Sequence, residues 1–385
     1  MYDVIVVGMG PAGAISAAGL GQAGMSVLGL EWKALPRYKV CGGALSARID
    51  PLLDRGYRDT IEATIQTVRF QFAGTMPFEV TSPDPIAYMV MRDRFDAALV
   101  RSAQAYGVEV RENERVMAIT EDSEGVTVKT GRESYRARIL VGADGANSLV
   151  RRSLFLGDRL PFMTGIEGET DRPPGTSGFD PRSIVLDIGV LKGGYAWVFP
   201  KKQNLSVGVA EFQEGGMRAK SGYERFVKEE PSHAGLSHAP GRGHPVPIYL
   251  GARSENARLA TARALLVGDA AHLVDPLFGE GIYYAVLSGR LAAETITNYL
   301  RGESLDLSTY ADRIAREIYP EFRVAARIAR LLYTFPRVVH RIARRRPEVI
   351  RQFYDVLKGL ETYQSFYFKA REGAAESLVS LFAPW

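Results

Sequence analysis

The sequence predicts a mixed α/β fold: a mostly parallel sheet, an antiparallel-sheet domain interleaved with it, and a helical C-terminal region. Three observations carry that reading. The chain opens with the β-branched run YDVIVV, the turn GMGPAG, a small-residue helical stretch and a second apolar run ending at Glu31. Short alternating segments occupy residues 65–91 and return after Leu160, the two-residue period of strands covered on one face. From Gly279 onward the periodicity is helical, with no internal repeat or low-complexity tract.

The opening unit reads as strand–turn–helix–strand, and its glycines have separate physical jobs. Gly8 makes the tight turn, Gly10 lets the backbone approach a pyrophosphate, and Gly13 lets the helix lie close on the strand. The helix N-terminus, beginning near Ala12, then directs amide N–H groups at phosphates. Glu31 stands 18 residues after Gly13, the spacing at which an acid reaches the ribose hydroxyls of an adenine dinucleotide. This is a Rossmann-like unit. RDRFDAALVRSAQAYG follows the first alternating segments as an amphipathic helix with Phe95, Leu99 and Val100 on one side, and the hairpin-like VTVKT carries Val126 and Val128 alternating with Thr127 and Lys129.

Composition excludes several classes. The 385 residues allow two or three domains, and 46% hydrophobic with 24% charged residues is the make-up of a globular chain rather than a disordered or fibrous one. A single cysteine, Cys41, leaves no internal disulfide and no multi-cysteine metal site, and points to a reducing, cytoplasmic setting. Val4 to Leu30 is uncharged, but the stretch lacks a cationic leader and is broken by Pro11 and several glycines, so neither a signal peptide nor a membrane span is expected there. The histidines, among them His233, His238 and His244, fall in loops without metal-ligand spacing, and no metal is expected. Neither a GxSxG elbow nor a GxxxxGK[ST] loop occurs, which removes hydrolase and phosphoryl-transfer readings.

Two further motifs follow buried-strand patterns. ILVGADGANSLVRR carries Asp144-Gly145, and LLVGDAAHLVDPLFGEGIYYAV carries Gly268-Asp269 and then Gly279-Glu280-Gly281-Ile282 at the start of a long helix. Read alone, each is a tight turn after a strand; Asp269 can also accept from ribityl or ribose hydroxyls. Together with the first glycine motif they resemble the FAD-binding motifs of the para-hydroxybenzoate hydroxylase-type flavoproteins, over roughly Tyr2 to Tyr299. Two stretches, PRYKVCGGALS and GGYAWVFP, are similar to those of one branch, the geranylgeranyl reductase family of FAD-dependent oxidoreductases.

The resemblance implies FAD as cofactor, held by Gly8, Gly10, Ala12, Gly13, Glu31, Cys41, Gly42, Ala44, Arg92, Val116, Asp144, Asp269, Gly279, Gly281 and Ile282. It implies saturation of carbon–carbon double bonds in a geranylgeranyl or prenyl chain of a lipid, quinone or chlorophyll-type pigment, with electrons from an external donor, NADPH or ferredoxin being the two considered. No second GxGxxG stands in a strand–helix setting, so a separate domain for the reductant is not expected. Alternatives within the fold are a flavin monooxygenase or halogenase, and a non-redox isoprenoid cyclase. Tyr195, Trp197 and Phe199 share one strand face; they are either packed core or the wall of a substrate pocket. Cys41 is either a small buried hydrophobe or, followed by two glycines, a catalytic thiol beside the flavin.

The expected division is a discontinuous FAD-binding domain (1–65, 92–160 and 258–300), a substrate domain (66–91 and 161–257) and a helical region (301–385). Net charge is only +4, yet nine arginines lie between Arg323 and Arg351, opposed there by Glu348 alone. In RVAARIARLLYTF, Arg323, Arg327 and Arg330 share one helical face, and Val324, Ile328, Leu331 and Phe335 another. That pattern suits either a solvated face over a core contact or a peripheral helix on an anionic inner membrane surface. A nucleic-acid partner is not expected beside so many cofactor motifs.

Overall fold

The computed structural model describes residues 1–155, 160–171, 180–212, 218–229 and 239–373. His233, His238 and most of the loop TDRPPGTSG lie outside the described residues.

The first sheet is built on β1 (Tyr2–Val7) and β11 (Ser134–Gly142), which are buried, β-branched and parallel. Beside β1 runs β2 (Val27–Leu30), with β8 (Glu109–Arg111) beyond it; beside β11 lie β17 (Ala264–Leu266), parallel, and the antiparallel β10 (Val126–Thr130), with β9 (Val116–Glu121) beyond β10. A small antiparallel sheet joins β3 (Ala44–Ser46), β7 (Ala87–Val90) and β4 (Ile61–Ile65); of these strands the alternating pattern marked β7. The largest antiparallel surface runs in the order β16 (Arg242–Pro247), β12 (Phe162–Asp171), β15 (Asn204–Glu211), β14 (Gly194–Pro200), β13 (Ser183–Ile188), β5 (Thr67–Phe72) and β6 (Thr75–Thr81), with only the β13–β5 pair parallel.

The helices are α1 (Pro11–Gln22), α2 (Arg92–Ala105), α3 (Leu149–Leu154), α4 (Ala219–Glu229), α5 (Ala252–Glu255), α6 (Ile282–Leu300), α7 (Thr309–Glu317), α8 (Tyr319–Thr334), α9 (Pro336–Arg345), α10 (Pro347–Lys358) and α11 (Tyr363–Gly373). Two histidines expected in loops sit in regular elements: His244 on β16 and His340 on α9. Pro245 and Pro247 disguise β16 in sequence; as the edge strand it tolerates their missing N–H groups.

Small residues set how closely the nucleotide-type half packs. A Cβ on Gly13 would lie 1.9 Å from the Gly8 carbonyl oxygen, so α1 rests directly on the turn that precedes it. Across the other face of α1, a Cβ on Gly289 of α6 would lie 2.6 Å from the Ala12 carbonyl oxygen, and Ser16 Oγ donates to Gly289 O at 3.2 Å. Residues on the two faces of β14 go to different cores. Ala196 and Val198 pack under α4 with Tyr223 and Phe226, while Tyr195, Trp197 and Phe199 face the opposite way.

Gly289→Val forces α6 away from α1. It is expected to destabilise the protein by about 1–3 kcal/mol, read as a lower urea midpoint at unchanged slope; an unchanged midpoint would show that the helices part without strain.

Candidate active site

One continuous cavity of about 1290 Å³ runs from the glycine turn after β1, past the loop containing Cys41, to the inner faces of α8, α9 and α10. Every residue that the sequence analysis singled out for cofactor or substrate lines it except Gly13, which lies behind it against Gly8.

At the nucleotide end, Gly8 has φ +92°, and a Cβ there would lie 2.5 Å from the Ala143 carbonyl oxygen, so only glycine fits the turn. Gly10 is open: its nearest neighbour to an added Cβ is Arg37 Nη2 at 3.6 Å. That leaves the backbone approachable by a pyrophosphate. Glu31 is 1% exposed and its carboxylate accepts from the Met9 amide at 3.1 Å and from Arg37. Arg37 also donates to the fully buried Asp96 at 2.9 Å, and Arg92 closes on the same carboxylate through two bonds of 2.9 and 3.0 Å. The first residue of α2 is thereby fixed beside the Cys41 loop.

Asp144 lines this end of the cavity, half-buried. Its oxygens accept from Ser148 Oγ at 2.5 Å and from the Leu149 and Val150 amides at 2.5 and 3.1 Å, so its carboxylate caps α3. Val116 begins β9 at the cavity edge. Asp269 lies in the short turn after β17, and a Cβ on Gly281 would be 3.4 Å from its Oδ1. The segment from Asp275 to Gly281 brings the N-terminus of α6, at Ile282, to the same wall. Asp275 knits that segment by accepting from the Leu277 and Phe278 amides at 2.8 and 2.9 Å; burial pushes its carboxyl up to about 6.

The CGG and YxWxFP stretches, far apart in the chain, meet here. A Cβ on Gly42 would lie 2.9 Å from the Phe199 ring and 3.1 Å from Trp197 Nε1, so the loop rests on the aromatic wall. Gly43, at φ +65°, passes within 2.1 Å of the Val90 carbonyl oxygen by the same measure, and its amide donates to Cys41 Sγ at 3.3 Å. Beneath the loop, Lys201 donates to Gly42 O at 2.7 Å and Val90 O at 2.9 Å. Burial pushes this ammonium down to about 8. Tyr195, Trp197 and Phe199 are nearly buried in one hydrophobic cluster, with Trp197 in ring contact with each of the other two at 5.8 Å, and all three also line the cavity. Trp197 lies over Gly208, where an added Cβ would fall 2.1 Å from the ring. Tyr195 donates to Phe278 O at 2.6 Å, tying the wall to the loop before α6.

Sequence reasoning missed a polar chain behind that wall. Trp197 Nε1 donates to Ser206 Oγ at 3.4 Å, and Ser206 to Glu167 at 3.0 Å; Tyr38 donates to the other Glu167 oxygen at 2.8 Å. Glu167 is 1% exposed, and burial, with Glu169 nearby, pushes its carboxyl up to about 7 against the hydrogen bonds from Tyr38 and Ser206. It therefore holds a proton over part of the neutral range, next to the Cys41 loop. Lys39, brought down to about 8 by burial, donates to the ring of His244, which burial and Lys39 hold down to about 3. Tyr38 and Lys39 lay inside the quoted PRYKVCGG stretch; Glu167 had no signal, because one acid in an alternating strand reads as its solvent face. Among the described residues no cluster of metal-ligating side chains occurs.

Glu167 makes stability pH-dependent with a definite sign. Its folded value lies above the ordinary 4.5, so its contribution is full below pH 4.5 and is lost as pH rises through about 7. Glu167→Gln is expected to lose less stability than the parent between about pH 5 and 8 in urea titrations. Parallel losses would mean that the carboxyl is ionised throughout.

Residues 1–316 match the family described as FAD binding domain. The chain is 31% identical to digeranylgeranylglycerophospholipid reductase 1 of Methanopyrus kandleri, covering 84% of this chain and 88% of that one. It is 30% identical to the geranylgeranyl diphosphate reductase of Rhodobacter capsulatus, over 84% and 82%. In fold it is similar to a geranylgeranyl bacteriochlorophyll reductase-like protein from Thermoplasma acidophilum, with a TM-score of 0.77, 20% identity and 99% and 98% coverage. The open glycine turn, the α6 N-terminus and the long cavity fit FAD, and the chain belongs to the geranylgeranyl reductase family of FAD-dependent oxidoreductases.

Proposed function

We propose that the protein saturates carbon–carbon double bonds of a geranylgeranyl or other prenyl chain borne by a lipid, quinone or pigment. The observation that carries this reading is the continuity of the FAD end of the cavity with an apolar chamber walled by Tyr195, Trp197 and Phe199. FAD, bound by the glycine turn, Arg92, Asp269 and the Gly279–Ile282 segment, supplies a hydride when reduced by an external donor such as NADPH or ferredoxin.

The side chains supply the rest. An isolated alkene has no carbonyl to polarise, so proton transfer leads or accompanies hydride transfer, and positive charge develops on a tertiary carbon. The faces of Trp197 and Tyr195 stabilise that charge by about 0.5–2 kcal/mol and exclude the water that would capture it. Cys41 holds the proton to be delivered, with the Glu167 carboxyl as a neighbouring reserve. Lys201 keeps the Cys41 loop seated by occupying its carbonyls.

Membrane-borne substrate requires a way in. Among the described residues no helix is long and apolar enough to cross a membrane. Most of the apolar face of α8 turns inward, with Val324 buried and Ile328 and Leu331 lining the cavity. Phe335 and Val338 remain 55% and 44% exposed at the cavity lining, amid the exposed Arg337, Arg341, Arg344, Arg345 and Arg346. This rim suits an anionic bilayer surface.

With dithionite-reduced protein, a geranylgeranyl compound and heavy water under anaerobic conditions, each saturated bond is expected to gain one deuterium. Trp197→Ala should lower turnover at least tenfold, consistent with loss of about 1.4 kcal/mol or more, while FAD stays bound. An oxygenated product in air with no anaerobic saturation would refute the reading in favour of a monooxygenase or halogenase.

Liposomes rich in anionic lipid are expected to float the protein at low salt and release it at high salt. Loss of flotation in Phe335→Ser/Val338→Ser would assign the contact to this rim; a protein that never floats has no such contact.

A further inference from the structure

The apolar half of the cavity is lined by a buried histidine that the proposed chemistry does not use. His340, on the second turn of α9, is 2% exposed and lines the cavity. Its ring packs against Phe78 at 5.1 Å and Phe72 at 6.1 Å. Neither ring nitrogen makes a well-formed hydrogen bond to a described residue; the Phe70 backbone is the one hydrogen-bonding group that acts on the ring. A neutral imidazole has both a donor and an acceptor, so at least one nitrogen is left for a ligand. Phenylalanine would fill the same space among these aromatic rings without burying a polar atom, which makes packing an insufficient reason for histidine here.

We propose that His340 is a polar anchor for the substrate, hydrogen-bonding an uncharged oxygen, a carbonyl or hydroxyl, at the head of the prenyl chain. The inference rests on the cavity holding a prenyl compound. Charge argues for the neutral oxygen. Burial, with Arg344 nearby and against the Phe70 backbone, shifts the imidazole toward its uncharged form, and the arginines of α9 have their side chains at the exposed rim, so a phosphate would stop at the rim. Position argues for the head of the chain. Phe78 lies on β6, three strand spacings from β14, or roughly 14 Å from the aromatic wall, a span of several isoprene units between the anchored oxygen and the reacting alkene.

The test measures binding by quenching of protein fluorescence in the FAD-loaded enzyme, with three probes: geranylgeraniol, a prenylated naphthoquinone, and the hydrocarbon corresponding to geranylgeraniol without its hydroxyl. His340→Phe is expected to weaken the two oxygenated probes roughly three- to tenfold, the worth of one neutral hydrogen bond, and to leave the hydrocarbon unchanged. His340→Gln, which keeps a donor and an acceptor, should retain most of the affinity. Retained FAD content in both variants shows that the fold survives. Equal changes for all three probes, or no change for any, would overturn the anchor while leaving the prenyl reading intact. Failure of the parent enzyme to bind any probe would overturn both.

Discussion

The cavity exists because backbone carbonyls from three distant segments are taken up by buried and partly buried side-chain donors. Lys201 occupies Gly42 O and Val90 O, Tyr195 occupies Phe278 O, and Tyr333 of α8 occupies Leu277 O. Irregular loops cannot be buried with their polar groups unpaired. These few bonds let the Cys41 loop and the segment before α6 line an enclosed space, and they join the nucleotide-type half, the large antiparallel sheet and the C-terminal helices at one place. The lysine is the most demanding of the donors, since burial opposes its charge and three carbonyls compensate for it.

Polarity then divides along the cavity. Its nucleotide end is crowded with charge that is mutually satisfied: Arg37 and Arg92 share Asp96, and Arg37 also reaches Glu31. Such a cluster is held rigid because removing any member leaves a buried charge uncompensated. The other end is aromatic and aliphatic, with ring contacts running from Trp197 through Tyr195 and Phe212 to Tyr333. Between them stand groups whose protonation is adjustable near neutrality, Glu167 and Lys39 among them.

The C-terminal helices complete the apolar end. Their amphipathic pattern, legible as arginine against aliphatic faces, is the pattern of helices that cover a core; here the thing covered is a cavity. The small exposed remainder, Phe335 and Val338, sits where the cavity approaches the surface.

By itself the sequence determined the nucleotide-binding unit, because that unit is local. Gly8, Gly10, Gly13 and Glu31 act through turn geometry and short-range spacing, and the strand and helix periods around them are unambiguous. Through resemblance it also singled out the stretches with Cys41-Gly42-Gly43 and with Tyr195, Trp197 and Phe199, which the fold then brings into contact. Only the tertiary structure decided which face of β14 borders the cavity, because both faces are buried and apolar and the strand itself does not say which neighbours will cover each. The same holds for Glu167, Lys201 and His340. Each looks like a surface residue in its own element. Each becomes significant only when strands and helices from elsewhere in the chain close over it, since burial and partners are properties of the assembled neighbours and not of the residue.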